Sequence, residues 1–222
     1  MKIFLSYILD EKTPSYGNRD KFSITTNSQI IDGTGANTST WNFSNNHMGT
    51  HMDSPHHFFN DGKKTSNYSA EDFCFDHVFI LEKKCDYGEL ILLGPNEINK
   101  ISIKTDFLII KTGYCNFRSS KKYYNDNPGL KSDLANILKE KLPNLRGIGF
   151  DFISLTSWNH RDHGKISHKS FLGEPNNFLI IEDMDLLELE KSTNIKSLIV
   201  APLRTIDGNG GPVTIIADID EK

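Results

Sequence analysis

Short apolar runs rich in β-branched and aromatic residues recur along the chain: Phe22 to Ile31, Val78 to Leu81, Leu90 to Leu93, Phe107 to Lys111, Ile148 to Ile153, Phe178 to Ile181, Leu198 to Val200 and Val213 to Ala217. Each is bounded by Gly, Pro, Asn or Asp, residues that turn the chain or interrupt a ladder, so the pattern predicts more strands than helices. Helical spacing is rarer. Leu134, Ile137, Leu138 and Leu142 lie on one face of a segment that Ser132 and Asp133 can cap and that ends before Pro143. Shorter helices are expected from Pro95 to Lys100, around Ser167 to Leu172 and from Asp185 to Glu190, the first opened by Pro. The sum is a mixed, β-rich α/β or α+β protein. With no repeat, low-complexity tract or linker, it reads as one domain over residues 1–222.

Composition narrows the function classes. The net charge of -4 comes from acids and bases mixed along all 222 residues, with no basic face. Nucleic acid and anionic membranes are therefore not expected partners, and a small-molecule substrate is. Cys74, Cys85 and Cys115 form no CxxC pair, which reads as buried free thiols in a reducing compartment. The run Ile3 to Leu9 is too short and interrupted for a secretory signal, and nothing approaches a membrane-spanning length, so a soluble cytoplasmic protein is expected.

The chemistry concentrates in one stretch. Of eight histidines, four fall within residues 47–57, around Asp53. His47 and His51 have the spacing of a helical metal pair, but Gly49 and Pro55 disfavour a helix. In an extended strand His51 and Asp53 share a face, and a turn at Gly49 swings His47 back toward them. Two imidazoles and a carboxylate then converge, a set suited to Zn²⁺ or Mn²⁺ that leaves room for water. If the chain stays extended past Pro55, parity puts His57 rather than His56 on the Asp53 side.

These residues carry a resemblance. The pattern HxGTHxDxPxH from His47 to His57 resembles that of the metal-dependent cyclase/hydrolase superfamily, which includes bacterial kynurenine formamidases and isatin hydrolases. Leu108 to Tyr114 is similar to the family strand ending in Thr-Gly-Trp, with Tyr in place of Trp, and Gly149-Phe150-Asp151 to its Gly-Ile-Asp strand. His168 to Gly173 resembles its His-x-x-Leu-Leu segment, and Pro202-Leu203-Arg204 through Gly211-Pro212-Val213 its closing hairpin. The resemblance implies a swivelling β/β/α fold assembled as a homodimer or homotetramer. It also implies that His47, His51 and Asp53 bind metal, that His57 is the catalytic acid/base, and that His168 and Glu182 bind a second ion bridged by Asp53. Glu182 closes an apolar strand, and Glu174 is a rival ligand.

A divalent ion with an open position lowers the pKa of its water and polarises a carbonyl, which makes hydrolysis of a C–N amide bond the expected reaction, with His57 moving the proton. N-formyl-kynurenine, a substrate from tryptophan catabolism, leads the candidates. Cyclic amides or lactones such as isatin, polyketide cyclisation, and a ligand-binding protein without turnover are the alternatives. Pro14-Ser15-Tyr16-Gly17-Asn18 stands where the family usually has Pro-x-x-Pro-Gly, beside the expected substrate. Tyr16, Trp41, Phe58, Phe59 and Tyr114 are candidate pocket walls, whereas His160 to His163 reads as a solvated loop and His77 has no assigned role. No GxSxG elbow, phosphate loop or dinucleotide fingerprint points to other chemistry.

Overall fold

Most of the apolar runs become strands of one wrapped sheet. The computed structural model describes residues 1–220. In chain order the strands are β1 (Lys2–Phe4), β2 (Phe22–Ser28), β3 (Thr38–Phe43), β4 (His51–Asp53), β5 (Cys74–Phe75), β6 (Val78–Glu82), β7 (Leu90–Ile91), β8 (Phe107–Lys111), β9 (Gly129–Leu130), β10 (Gly147–Phe150), β11 (Leu179–Glu182), β12 (Ile195–Pro202) and β13 (Gly210–Ile219). The helices are α1 (Pro95–Ile98), α2 (Lys121–Asn125), α3 (Asp133–Lys141) and α4 (Arg161–Leu172).

The main sheet runs β5-β12-β13-β4-β11-β10-β8-β6, with β1 also on β13. Its terminal strands β5 and β6 are consecutive in the chain, so the sheet curls into a nearly closed barrel. β6, β8, β10 and β11 pair in parallel, and β8, β10 and β11 are apolar almost throughout because both faces are covered. β12 and β13 pair antiparallel and alternate between buried and exposed positions, as a sheet with one wet face requires.

Two cores follow from this arrangement. Leu108, Ile110, Ile148, Phe150 and Ile180 face the outer layer, where α3 and α4 contribute Leu134, Leu138 and Phe171. Met52, Phe107, Ile109, Ile181, Leu198, Val200 and Ile215 fill the barrel interior. Each such side chain contributes about 1.5–3 kcal/mol by leaving water. The residues that matter for chemistry lie where β4 and β11 meet the first core.

Several expectations need correction. Phe22 to Ile31 yields a strand, but it pairs only with β3 in a separate hairpin whose side chains are mostly exposed. Asp185 to Glu190 forms no helix. Leu186 and Leu189 are buried in the barrel core, the Asp185 N–H donates to Leu5 O, and the Leu189 carbonyl accepts from Lys111 Nζ, so long-range partners replace helical ones. The expected loop at His160 to His163 is instead the start of α4, which begins at Arg161. His163 Nε2 accepts the backbone N–H of Ser132 beside α3, where a side-chain cap from Ser132 was expected. Cys74 is exposed, Cys85 half-buried and Cys115 buried, so only part of the buried-thiol expectation holds. Among the described residues no helix is long and apolar enough to cross a membrane.

Candidate metal centre

β4 lies between β13 and β11, antiparallel to both. Its register on β11 sets His51 opposite Glu182 and Asp53 opposite Ile180. Opposed residues share a face, so His51, Asp53 and Glu182 project together while Met52 and Ile181 enter the barrel core. Gly49 makes the turn before β4 at φ +63, a conformation that L side chains rarely adopt, and a Cβ there would also crowd Leu9. The turn brings His47 Nδ1 to 2.7 Å from Asp53 Oδ1. His168 arrives from the middle of α4, its Nε2 3.4 Å from Asp53 Oδ2 and 3.6 Å from Glu182 Oε1. His51 Nε2 completes the cluster at 3.3 Å from Glu182 Oε2 and 3.6 Å from Asp53 Oδ1.

Hydrogen bonds behind the rings set their tautomers. His51 Nδ1 is 2.9 Å from Gly49 O and His168 Nδ1 is 2.9 Å from Gly164 O. A carbonyl only accepts, so each Nδ1 carries hydrogen and each Nε2 aims inward. His47 Nε2 lies 3.0 Å from Asn209 Oδ1, which also accepts from Asn46 Nδ2. His47 Nδ1 therefore faces a carboxylate oxygen, an arrangement that only a proton or a cation between them can satisfy. Glu182 Oε1 is held by the Leu155 N–H at 2.6 Å.

The electrostatics agree. Burial alone would lower the pKa of His51, but the Glu182 hydrogen bond and the charges of Glu182 and Asp53 raise it to about 9. His168 rises to about 10 against the same burial penalty, through Asp53 and Glu182. Burial would raise Asp53, yet His47 and His168 hold it well below the usual carboxylate range, and the histidines lower Glu182 as well. Two groups, His47 with His51 and Asp53, and Asp53 with His168 and Glu182, each bring their donor atoms within 4.8 Å of one another and could hold a metal ion. The donor set suits a borderline divalent cation.

His57 reaches the site by a route other than the expected one. The chain does not stay extended: Pro55–His57 is a 3-10 turn. That turn stacks the His57 ring on His47 with centroids 4.0 Å apart and sets it 6.0 Å from His168. Burial lowers His57 to about 4, a shift that the charge of Asp53 opposes and those of His47 and His168 reinforce. His56 lies outside the cavity, and its buried Nδ1 has no hydrogen-bond partner among the described residues. Glu174 is exposed and lines a separate groove, so it is Glu182 that the fold brings into the cluster.

A cavity of about 350 Å³ opens over the cluster, lined by Tyr16, Arg19, Asp20, Phe58, Ser154 and Asn209 among others. Phe58 stacks on His168 at 4.5 Å. Of the other aromatic candidates, Trp41 stands exposed on the hairpin, Phe59 faces the separate groove, and Tyr114 is buried with its hydroxyl donating to Lys122 O and Asp126 O. Asn209, Ser154, Thr156 and Arg19 were not anticipated. Asn209 sits beside the Gly-x-Pro-Val resemblance, and Arg19 follows the divergent 14–18 segment, so sequence context could have marked both.

A family model described as putative cyclase matches residues 3–157. The chain belongs to the putative cyclase family. The matched span of this cyclase-family protein contains His47 to His57 and stops short of His168 and Glu182. The chain is 27% identical to a kynurenine formamidase of Bacillus anthracis over 171 residues, 77% of this chain and 75% of that protein. An uncharacterised protein of Haemophilus influenzae is 31% identical over 110 residues, 48% of this chain and 78% of that protein. Isatin hydrolase A from Labrenzia aggregata, solved with benzyl benzoate, shares the fold at a TM-score of 0.81 and 20% identity, over 98% of this chain and 93% of that one. An isatin hydrolase with the product analogue thioisatinate superposes at 0.77 and 19% identity, over 100% and 92%.

Proposed function

We propose that this cyclase-family protein is a metal-dependent hydrolase of C–N amide bonds, with aryl formamides of the N-formyl-kynurenine type as its substrates. The observation that carries this reading is the buried convergence of inward imidazole nitrogens and two carboxylates with no Lys or Arg among them, beside a neutral His57. His47, His51 and Asp53 would hold one ion, and Asp53, His168 and Glu182 a second. When bound, Zn²⁺ or Mn²⁺ supplies a water of lowered pKa and polarises the amide carbonyl.

The chain's own residues do the rest. His57, uncharged near neutral pH, accepts a proton from the attacking water and returns it to the leaving nitrogen. An aniline-type nitrogen leaves more readily than an alkyl amine. Tyr16 and Phe58 offer ring faces to an aryl group, and the Leu155 N–H keeps Glu182 aimed at the cluster. Homo-oligomerisation belongs to the same reading and is supported by Ile24, Ile30, Ile31 and Trp41, all exposed on or beside the β2–β3 hairpin. A sedimentation velocity run that returns a monomer would remove that part.

The test strips the protein with chelator, reloads it with Zn²⁺ or Mn²⁺, and follows hydrolysis of N-formyl-kynurenine, formanilide and isatin. Formamide turnover is expected, with His57→Ala lowering kcat by about 10²–10⁴-fold at unchanged metal content. Equal rates in mutant and wild type would remove His57 from the mechanism. Metal uptake without turnover of any amide or lactone would leave a binding protein.

A further inference from the structure

The cavity over the cluster has one permanent cation in its lining, Arg19. Its loop is built rather than loose. Ser15, almost fully buried, exchanges hydrogen bonds with both ends of the Asp20 backbone, Oγ accepting from Asp20 N at 2.9 Å and donating to Asp20 O at 3.1 Å. The Asn18 N–H closes a turn on Ser15 O at 2.6 Å. Gly17, at φ +67, lies flat against the Trp158 indole, where any Cβ would overlap the ring.

Behind this loop is an aromatic and cationic layer. Tyr16 packs on Trp158 with centroids 5.0 Å apart. The Arg19 guanidinium lies 6.0 Å from the Tyr16 centroid and 5.8 Å from that of Trp158, and Arg161, from the first turn of α4, lies 5.0 Å from Trp158. Ring faces hold these two cations, and neither pairs with a carboxylate among the described residues. The neighbouring Asp20 carboxylate is engaged by Asn45 Nδ2 at 3.3 Å and Ser44 Oγ at 3.5 Å. Tyr16 lines the same cavity as Arg19 and Glu182, its hydroxyl donating to Ser157 O at 3.4 Å.

We infer that Arg19, backed by Trp158 and Arg161, receives the carboxylate of the substrate, so that the preferred substrate is an acidic aryl amide rather than a neutral one. The inference rests on the hydrolase reading above. An unpaired guanidinium presents a planar fork of donors that matches a carboxylate, and two ring faces within 6.0 Å favour the cation there without occupying its donors. Neutral lactams and formanilides have nothing for that fork to bind. Arg161, 5.0 Å from the Trp158 centroid, adds positive potential to the same layer.

The experiment compares kcat/KM of metal-reloaded protein on 2- and 4-formamidobenzoate with that on formanilide. The wild type is expected to favour at least one carboxylated substrate by about tenfold or more, the scale of one charge-assisted hydrogen bond. Arg19→Gln should bring that ratio close to one, with the loss in KM. Arg19→Lys should restore part of it. A wild-type ratio near one, or the same ratio in Arg19→Gln, would overturn the inference. If no formamide or lactam is turned over, the hydrolase reading fails, and binding of anthranilate, followed by its own fluorescence, then decides the carboxylate site. Affinity about tenfold weaker in Arg19→Gln supports it, and equal affinity overturns it.

Discussion

Glu182 and Asp183 are consecutive, both buried and both acidic, yet their surroundings differ in kind. Asp183 receives Arg118 in a two-point contact, Nε to Oδ1 at 2.9 Å and Nη2 to Oδ2 at 2.8 Å, together with the Tyr123 hydroxyl. Its backbone is tied down as well, its N–H donating to Phe152 O and its carbonyl accepting from Thr50 Oγ1 at 2.5 Å. Arg118 is further covered by the Tyr7 ring at 3.7 Å. Among the described residues the groups that neutralise Glu182 are imidazoles, a hydroxyl and a peptide N–H, with no Lys or Arg. A carboxylate neutralised by an arginine is a closed structural pair. One neutralised by groups that can release protons is open to a divalent cation. The pair also links the two regions, because Thr50 precedes His51 and Asp183 follows Glu182.

Breaking the closed pair should cost stability, and breaking the open cluster should cost metal. The largest effect is expected for Arg118→Ala, which leaves Asp183 buried and unpaired and should lower unfolding free energy by about 3–5 kcal/mol in a urea melt. A loss below about 1 kcal/mol, the scale of a surface pair, would end the distinction. Asp53→Asn comes next: metal affinity measured by competition with a chromogenic chelator should fall more than about 100-fold, beyond the range typical of residues that only orient a ligand. Asn209→Ala removes such an orienting contact from His47, and a smaller loss of about 10–100-fold in affinity is expected from the same titration.

The weakest test is pH. His51 and His168 have raised pKa values in the folded protein, so the stability they contribute without metal is complete below their unfolded value of about 6.5. It is lost as pH climbs through about 9 and about 10, because the folded state must then give up the protons that satisfied Asp53 and Glu182. Metal-free protein should lose about 1.4 kcal/mol per pH unit for each of the two histidines as pH rises from about 6.5 toward those values. Metal affinity should rise over the same window, since the ligand nitrogens must be deprotonated. A flat metal-free stability from pH 7 to 10 would show that the cluster is not held by protons.

The strand-forming runs and the parity of His51 with Asp53 are local properties, legible because a strand alternates faces whatever surrounds it. β8, β10, β11 and β13 follow the apolar runs, and α3 follows its periodicity. Where expectation and structure part, a distant partner is the cause. Leu186 and Leu189 drop into the barrel core instead of lining a helix, and His163 accepts the Ser132 N–H at the start of α3 instead of lying in a solvated loop. His57 arrives through the 3-10 turn after Pro55 and not along the extended chain from which parity selected it.

The site divides along the same line. Residues 47 to 57 declare metal chemistry by their density of imidazoles around one carboxylate, which no fold is needed to see. Nothing local separates Glu182 from Asp183 or from Glu174, because all three are acids near an apolar run. The register of β4 on β11 sends Glu182 to the histidines, and Arg118 claims Asp183. Sequence alone determined which donor atoms this protein possesses and on which face of β4 two of them lie. Tertiary structure decided which carboxylate is left without a permanent cation, because that depends on packing between segments far apart in the chain.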